Sequence, residues 1–491
     1  MKTNVIIIHA DQHRIECLGA YGNKDVKTPH LDKLAAEGVR HTGHFCSYPI
    51  CTPSRYSLLS GMYASVHGGS DNRATLPRGT ATFATELRKA GYRTAAVGKM
   101  HFTPTYLDTG FDTLVLAEQD GPGRFEDDYH KYLREHGLLD VLDLCDQRAE
   151  YRENAPADYW ENFGAKCSDL PLEHHSTTYI TNQALAQIEQ FNPDGGNLLM
   201  AGYIKPHHPF DPPEPYASMY DPAKLTLLDG YTPTLAEVDK KYTGYFDYST
   251  ITEKSLRLVT SQYYGTITHL DDGAGQIIQR LKDKGLYDDA LIIFTSDHGE
   301  FLGFKHLLTK CNHMYDPIMR IPLIIKYPAS WSKRGLDHGL STNIDIAKTI
   351  LTVCGVEHAP AMRGLDLTRD EGREVVVGEF KMWGLNEYMV RSKTHKLLLD
   401  TNGAARLFDL AADPLETNDV AADPAYADIL RHLKDKLIEE FLLKRRNTPH
   451  QDVNAPVVNG KTRDETMLTR RDMADYMAAT SSVKPARVVY E

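Results

Sequence analysis

The sequence predicts an α/β fold, with a large, mostly parallel sheet flanked by helices and a smaller C-terminal α+β subdomain that contains an antiparallel sheet. Two observations support this prediction. Short apolar runs, typical of buried parallel strands, alternate with longer amphipathic segments over most of the chain. After residue 370 the pattern changes to closely spaced short strands and one amphipathic helix, which favours an antiparallel sheet.

The individual elements follow from this pattern. The predicted strands of the large sheet cover residues 4–9, 94–97, 197–203 and 290–295. The predicted helices between them cover residues 31–37, 81–90, 178–191 and 261–284. Gly91 and Gly285 follow two of these helices, as is typical of a helix C-terminus.

The C-terminal region divides into two parts. Short strands are predicted at residues 375–380, 388–391, 396–399 and 406–410, followed by a helix at 426–444. Residues after 445 show little periodicity, which indicates a tail that is either loose or packed on another surface. We therefore predict a main domain at 1–370, an α+β subdomain at 371–445 and a tail at 446–491.

Length and charge exclude some classes of protein. A chain of 491 residues is too long for one small core, and its formal charge of −12 argues against a nucleic-acid partner. An anionic substrate remains compatible with that charge, because a local basic pocket can form in an acidic protein. No apolar run reaches about 18 residues, so no membrane partner is expected.

The N-terminus and the cysteines bear on location. Residues 4–9 form an apolar run too short for a secretion signal, so with Met1 as the native start we expect a cytoplasmic protein. If a signal peptide has been removed, the location would be periplasmic or secreted. The seven cysteines do not suggest a disulfide framework, which agrees with a reducing compartment.

Polar side chains follow each of the four predicted strands of the large sheet. The residues in question are Asp11 and Gln12, then Lys99 and His101, then Lys205, His207 and His208, and finally Asp297 and His298. Because ligands of open α/β sheets bind at the carboxyl ends of the strands, these side chains are predicted to converge on one site. The competing explanation is that strand-to-helix loops are simply polar.

The strongest local signal is the segment from Cys51 to Arg55. Pro53 suits the first turn of a helix and Gly61 suits its end, so Cys51 is predicted at a helix N-terminus. The free N–H groups and the dipole there favour negative charge, and Arg55 lies one turn further on. A small buried thiol before a helix is the alternative explanation.

These motifs resemble the signatures of the sulfatase family along most of the chain. Cys51-Thr52-Pro53-Ser54-Arg55 with Leu59-Ser60-Gly61 is similar to the family's cysteine motif. Further segments resemble family motifs in the correct order: Thr28-Pro29-His30-Leu31-Asp32, Gly98-Lys99-Met100-His101, Pro206-His207-His208-Pro209-Phe210, Ser296-Asp297-His298-Gly299, and Leu407-Phe408-Asp409-Leu410.

The resemblance implies an alkaline phosphatase-like fold and hydrolysis of a sulfate ester. In this family a formylglycine-generating maturation enzyme oxidises the cysteine, here Cys51, to formylglycine. The hydrated aldehyde has one hydroxyl that can attack sulfur and a second that can later expel sulfate. A serine or an unmodified thiol has no second hydroxyl that could expel sulfate in this way.

The resemblance also assigns a metal site. One divalent cation would be bound by Asp11, Gln12, residue 51, Asp297 and His298. Oxygen ligands favour calcium, with magnesium as an alternative, and the histidine nitrogen allows manganese. Many relatives have Asp at position 12 and Asn at position 298, so the exact metal stays open.

The remaining assignments concern the sulfate and its substrate. Positive charge around the sulfate would come from Arg55, Lys99 and Lys310, with His101 and His207 as further catalytic groups. Lys205 and His208 are assigned to substrate binding, and for His208 the alternative is a supporting role behind the catalytic residues. Without the resemblance, a lone lysine such as Lys310 would be interpreted as a solvated side chain.

Three functions are compatible with this pattern. A sulfatase acting on a sulfated glycan or sulfated small molecule is the preferred one, with carbohydrate sulfates as the favoured class. Phosphonate monoester and phosphodiester hydrolases share the scaffold and the Asp-Gln and Asp-His variants seen here. The third is a catalytically inactive protein that binds sulfated ligands. An insertion at residues 121–171 is expected to set specificity.

Overall fold

The computed structural model describes residues 2–119, 126–147, 149–240, 246–310, 313–369, 372–382 and 385–443. Its strands are β1 (Asn4–Ala10), β2 (Val39–Phe45), β3 (Arg93–Gly98), β4 (Thr113–Leu116), β5 (Asn197–Gly202), β6 (Ala290–Ser296), β7 (Leu323–Lys326), β8 (Gly335–Thr342), β9 (Val376–Met382), β10 (Leu385–Arg391), β11 (His395–Asp400) and β12 (Ala405–Asp409). They form an eight-stranded sheet, ordered β4-β3-β5-β1-β6-β7-β2-β8, and a four-stranded sheet, ordered β12-β11-β10-β9.

The large sheet is parallel except at β7, which runs antiparallel to both β6 and β2. Strand β1 is central and buried along its whole length. Its last residue, Ala10, pairs with Ser296 of β6, so the next residues, Asp11 and Asp297, emerge side by side at the carboxyl edge. The predicted mostly parallel sheet is confirmed.

Helices cover both faces of this sheet. They are α1 (Pro29–Glu37), α2 (Cys51–Ser60), α3 (Ala64–His67), α4 (Phe83–Lys89), α5 (Asp128–Glu135), α6 (Val141–Gln147), α7 (Ala149–Arg152), α8 (Ala157–Glu161), α9 (Ser176–Glu189), α10 (Glu237–Lys240), α11 (Glu253–Asp283), α12 (Asp316–Met319), α13 (Ile344–Val353) and α14 (Ala427–Ile438). Successive residues of a strand point to opposite faces. Ile6 and Ile8 therefore pack with α1, α9 and α11, and Val5 and Ile7 pack with α2, α4 and α13.

The C-terminal sheet is antiparallel throughout, as predicted, and α14 packs against it through Leu433. Buried charges join this sheet to the large domain. Nζ of Lys396, on β11, lies 2.9 Å from Oδ1 of Asp316 on α12 and 2.6 Å from Oε1 of Glu416. The domain limits at 370 and 445 stay predictions, and the tail falls outside the described residues.

All the predicted strands and helices are present, with shifted ends. The helix predicted from residue 261 begins at Glu253, and the one predicted to reach residue 444 ends at Ile438, followed by a π-turn at Glu439–Leu443. Four strands were not predicted, β2, β4, β7 and β8, because two are very short and two are rich in polar residues or glycine. Within the described residues, no helix is long and apolar enough to span a membrane.

Candidate active site

Helix α2 brings Cys51 to the carboxyl edge of the sheet. The side-chain oxygen of Asn72 accepts a hydrogen bond from the Thr52 N–H at 3.0 Å, which satisfies one of the free donors of the first turn. At the other end Gly61 adopts a left-handed conformation, with φ of 63°, and closes the helix on Ser57. Cys51 is fully buried. It is therefore fixed at a helix N-terminus, as predicted.

Arg55 orients the two carboxylates that follow β1 and β6. Its Nη2 lies 3.1 Å from Oδ2 of Asp11 and its Nε lies 2.9 Å from Oδ2 of Asp297. Burial lowers the pKa of the guanidinium, but the two carboxylates outweigh burial and raise it overall. Since Arg55 binds both Oδ2 atoms, the Oδ1 atoms face the other way, towards His298.

His298 presents its Nε2 to these Oδ1 atoms and to the thiol. The Nδ1 donates to the backbone oxygen of Gly299 at 2.9 Å, so Nε2 is the acceptor nitrogen of the neutral ring. Nε2 lies 3.7 Å from Oδ1 of Asp11, 3.8 Å from Oδ1 of Asp297 and 3.3 Å from Sγ of Cys51. A backbone carbonyl that fixes the ring in this way is typical of a metal-binding histidine.

Asp11, Cys51, Asp297 and His298 thus offer four ligand atoms within 4.8 Å of one another, all from buried residues. Two carboxylates and a neutral imidazole nitrogen suit a divalent cation. Burial, followed by the neighbouring Asp11, raises the pKa of the Cys51 thiol to about 11, so the thiol is neutral near pH 7. The residues present therefore fit a metal site.

Lys99 and His101 approach the same cluster from the end of β3. Nζ of Lys99 lies 2.7 Å from Oδ2 of Asp11. His101 adopts a left-handed backbone conformation, with φ of 58°, which is rare for a residue with a side chain. Its ring is buried, and within the described residues neither ring nitrogen has a hydrogen-bond partner. Its carbonyl accepts a hydrogen bond of 2.9 Å from the Thr52 hydroxyl, next to Cys51.

Lys310, His207 and Gln12 form a hydrogen-bonded chain beside the metal ligands. Nζ of Lys310 contacts Nε2 of His207 and lies 3.0 Å from Oε1 of Gln12. Burial, followed by Lys310, holds the pKa of His207 well below its ordinary value. The amide oxygen of Gln12 has a second lone pair besides the one that accepts from Lys310, and this lone pair is the one a metal would use. Ligation of a metal by Gln12 stays a prediction.

Both predicted substrate-binding residues, Lys205 and His208, are directed at buried carboxylates. Nζ of Lys205 pairs with Asp211 and donates to the carbonyl of Pro209 at 2.7 Å. Nδ1 of His208 lies 2.8 Å from Oδ2 of Asp146, on α6 of the predicted insertion. Lys205 therefore braces the loop after β5, and its assignment to substrate binding finds no support in these contacts.

Three buried residues beside the site are not predicted from the sequence. The Glu118 carboxylate accepts the backbone N–H groups of Met100 and His101, at 3.0 Å each. Gln119 contacts Lys99. Glu300 accepts a hydrogen bond from the Gln12 side chain at 2.5 Å. Glu118 and Gln119 follow β4, so the strand-end argument would have found them had that strand been predicted.

The carboxyl edge of the α/β sheet carries carboxylates, a cysteine and cationic side chains. This combination is typical of hydrolases that act on anionic esters, which is the class of this protein. Comparison with protein families identifies the family. The model described as "Sulfatase" matches residues 3–356, and the one described as "N-sulphoglucosamine sulphohydrolase, C-terminal" matches residues 305–442. The chain belongs to the sulfatase family and is a sulfuric ester hydrolase.

Curated relatives resemble the chain over nearly its whole length. An arylsulfatase of Clostridium perfringens is 29% identical, over 92% of this chain and 97% of its own. An N-acetylglucosamine-6-O-sulfatase of Bacteroides thetaiotaomicron is 25% identical, over 92% of this chain and 88% of its own. Among solved structures, a phosphonate monoester hydrolase of Silicibacter pomeroyi aligns with a TM-score of 0.75 at 26% identity, covering 90% of this chain and 96% of that one.

Proposed function

We propose that this chain hydrolyses the sulfate ester of a carbohydrate to an alcohol and inorganic sulfate, using a formylglycine derived from Cys51 and one divalent cation. The observation that carries the proposal is the convergence of Asp11, Asp297 and His298 on the side chain of Cys51. The match of residues 3–356 to the sulfatase family model supports conversion of Cys51 by a maturation enzyme.

The cation would be held by Asp11, Asp297 and His298, with residue 51 and Gln12 completing the set. Calcium is preferred because most of these ligands are oxygen atoms, and the imidazole leaves magnesium and manganese as alternatives. Once bound, the cation supplies a fixed positive charge beside residue 51. Arg55 keeps both carboxylates turned towards that position through its contacts with their Oδ2 atoms.

The protein's own side chains then divide the remaining work. Lys99 binds the sulfate oxygens, because its buried ammonium lies at the cluster and its charge survives burial through Asp11. Asp297 accepts the proton of the attacking hydroxyl. Lys310 delivers a proton to the departing alcohol, and His207, whose Nε2 contacts Nζ of Lys310, holds the ammonium in place.

His101 completes the cycle in this proposal. Its ring is buried and has no hydrogen-bond partner among the described residues, so a ring nitrogen is available. That nitrogen accepts the proton of the second hydroxyl of residue 51 as sulfate departs. Burial, followed by Lys99, holds the pKa of His101 well below its ordinary value. The ring is therefore neutral near pH 7, as an acceptor must be.

A carbohydrate substrate is supported by the relatives and by the insertion. The name of the Bacteroides thetaiotaomicron relative specifies a sulfated amino sugar. The insertion reaches the site, because Asp146 of α6 contacts His208, the residue after His207. Loops over the strand ends determine specificity in many α/β enzymes, so α6 and its neighbours are the segments that would contact the sugar.

A second candidate, hydrolysis of phosphonate monoesters or phosphodiesters, is favoured by one observation. A phosphonate monoester hydrolase aligns over 90% of the chain at 26% identity. The charge of the substrate does not separate the two candidates, because a sulfate monoester, a phosphonate monoester and a phosphodiester each carry one negative charge.

The experiment is co-expression with a formylglycine-generating enzyme, followed by peptide mass spectrometry of residue 51. Activity is then measured on matched aryl sulfate and aryl phosphonate esters and on a panel of sulfated sugars. Activity should rise in proportion to conversion and favour sulfate. Full activity with an unmodified thiol contradicts the formylglycine proposal, and a preference for phosphonate supports the second candidate. Cys354→Ser, at the end of α13, is the matched control and should leave activity unchanged.

A further inference from the structure

Gln119 is a buried residue that contacts two of the loops around the active site. It follows β4, the edge strand of the large sheet, and is fully buried. Its Oε1 accepts a hydrogen bond from Nζ of Lys99 at 3.0 Å, and its Nε2 donates to the backbone oxygen of His208 at 2.7 Å. The carboxamide therefore bridges the loop after β3 and the loop after β5.

The orientation of this carboxamide is fixed by its partners. An ammonium only donates and a carbonyl only accepts, so the amide oxygen must face Lys99 and the amide nitrogen must face His208. A flipped amide would lose both bonds. Both bonds are buried away from water, so the carboxamide ties the ammonium of Lys99 to the His208 carbonyl, beyond the point where β3 and β5 stop pairing.

The carbonyl that Gln119 binds also determines which ring nitrogen of His207 carries the proton. The same His208 oxygen accepts a hydrogen bond from Nδ1 of His207 at 2.5 Å. The proton of the neutral ring is thus on Nδ1, and Nε2 is the acceptor that meets Lys310. The position of the His208 carbonyl therefore decides how the imidazole is aimed at Lys310.

We propose that Gln119 is a positioning residue that fixes the sulfate-binding Lys99 relative to His207 and to Lys310, the proton donor that His207 holds. This inference rests on the proposed function. Gln119 touches neither sulfate nor alcohol and acts through the two loops it joins. Without its carboxamide, His207 would keep its bond to the His208 carbonyl, but that carbonyl would lose the donor that fixes it relative to Lys99.

The test is Gln119→Met, which keeps the length of the side chain and removes both hydrogen bonds. Misplacement of a catalytic group by about 1 Å can cost on the order of 100-fold in rate. Proton delivery matters most for poor leaving groups. We therefore expect kcat/KM to fall at least about 10-fold further on an alkyl or sugar sulfate than on nitrophenyl sulfate. Gln262→Met is the matched control, because Gln262 is a buried glutamine that donates to the carbonyl of Ala217, and its substitution should leave that ratio unchanged.

A double variant separates positioning from general damage. If Gln119 acts through His207, Gln119→Met should add no further leaving-group discrimination to His207→Ala. Equal losses of Gln119→Met on both substrates, or additive discrimination in the double variant, would overturn the inference. Should Gln119→Met not fold, Gln119→Glu keeps the acceptor for Lys99, removes the amide donor and answers the same question.

Formylglycine content is measured in every variant so that rates refer to converted enzyme. If fully converted wild-type enzyme hydrolyses no sulfate ester, the proposed function is wrong, and the positioning role of Gln119 is rejected with it. If wild type is active and the leaving-group ratio of Gln119→Met matches wild type, only the inference fails.

Discussion

Nζ of Lys99 lies 2.7 Å from Oδ2 of Asp11, and both side chains are buried. Burial lowers the pKa of Lys99, but the Asp11 carboxylate outweighs burial and raises it overall, so the ammonium stays charged. Asp11 in turn has its pKa held well below the ordinary value: burial raises it, but Lys99 and the other cations outweigh that effect. The site therefore keeps a desolvated positive charge at the point where an anionic substrate would bind.

Lys99→Met should lower kcat on a sulfate ester by about 100- to 1,000-fold, the usual loss when one buried donor to a developing anion is removed. Steady-state kinetics on nitrophenyl sulfate measure the effect. Lys326→Met is the matched control, because Lys326 is a buried lysine at the opposite edge of the sheet that donates to backbone carbonyls. It should reduce stability and leave kcat unchanged. A Lys99→Met enzyme with normal kcat would contradict the role of Lys99.

Asp297→Ala should remove both the divalent cation and the activity, because the carboxylate supplies a ligand and offsets the charge of the cation. Elemental analysis of the dialysed protein gives the metal content per chain. The matched control is Asp272→Ala, in a separate group formed by exposed His30, buried Asp271 and half-buried Asp272. This variant should retain its metal. Full metal occupancy in Asp297→Ala would place the cation elsewhere.

Much of this site could be predicted from sequence because its residues follow strongly apolar strands. The run at β1 is buried and unbroken, and the register of Ala10 with Ser296 then brings Asp11 and Asp297 together. Local pattern also sufficed for Cys51, since a proline and a glycine mark the two ends of its helix.

Other features of the site depend on tertiary contacts that sequence patterns do not encode. β4 has only four residues, so neither the strand nor the glutamine after it stands out. The sequence places Lys205 in the loop after β5, but its pairing with Asp211 depends on the path of that loop. The acceptor state of His298 likewise depends on a contact with the Gly299 carbonyl.

His207→Ala and Lys310→Ala should each lose more rate on an alkyl or sugar sulfate than on nitrophenyl sulfate. Poor leaving groups need a proton in the transition state, and a positioned acid contributes about 100- to 10,000-fold to such a step. Comparison of kcat/KM on the two substrates measures the effect. His269→Ala, which removes a buried histidine bonded to Thr178, is the control and should not change the ratio. Equal losses on both substrates would reject the assignment of Lys310 as the proton donor and of His207 as the residue that holds it.

Asp316 forms ion pairs that connect the large domain to the C-terminal sheet. These pairs should make the free energy of unfolding depend on pH. The Asp316 carboxylate lies 2.9 Å from Nζ of Lys396 and 3.2 Å from Nη2 of Arg391. Burial raises the pKa of Asp316, but these two cations outweigh burial and hold it below the ordinary value. A carboxyl group whose pKa is lowered by folding stabilises the native state above its unfolded pKa of about 3.9, and this stabilisation is lost as the pH falls below that value.

Asp316→Asn should therefore lower the free energy of unfolding by about 3 kcal/mol near pH 7, the scale of a broken buried ion pair. The gap between wild type and variant should narrow as the pH falls from about 5 towards 3, because Asp316 of the unfolded wild-type chain then takes up a proton that the native carboxylate, with its lowered pKa, does not bind. Thermal unfolding midpoints of both proteins across this range measure the gap. Asp428→Asn, which breaks an exposed pair with Arg431 on α14, is the control and should show no gap at any pH. A gap of constant size for Asp316→Asn would mean that its cost comes from packing and not from the charge of Asp316.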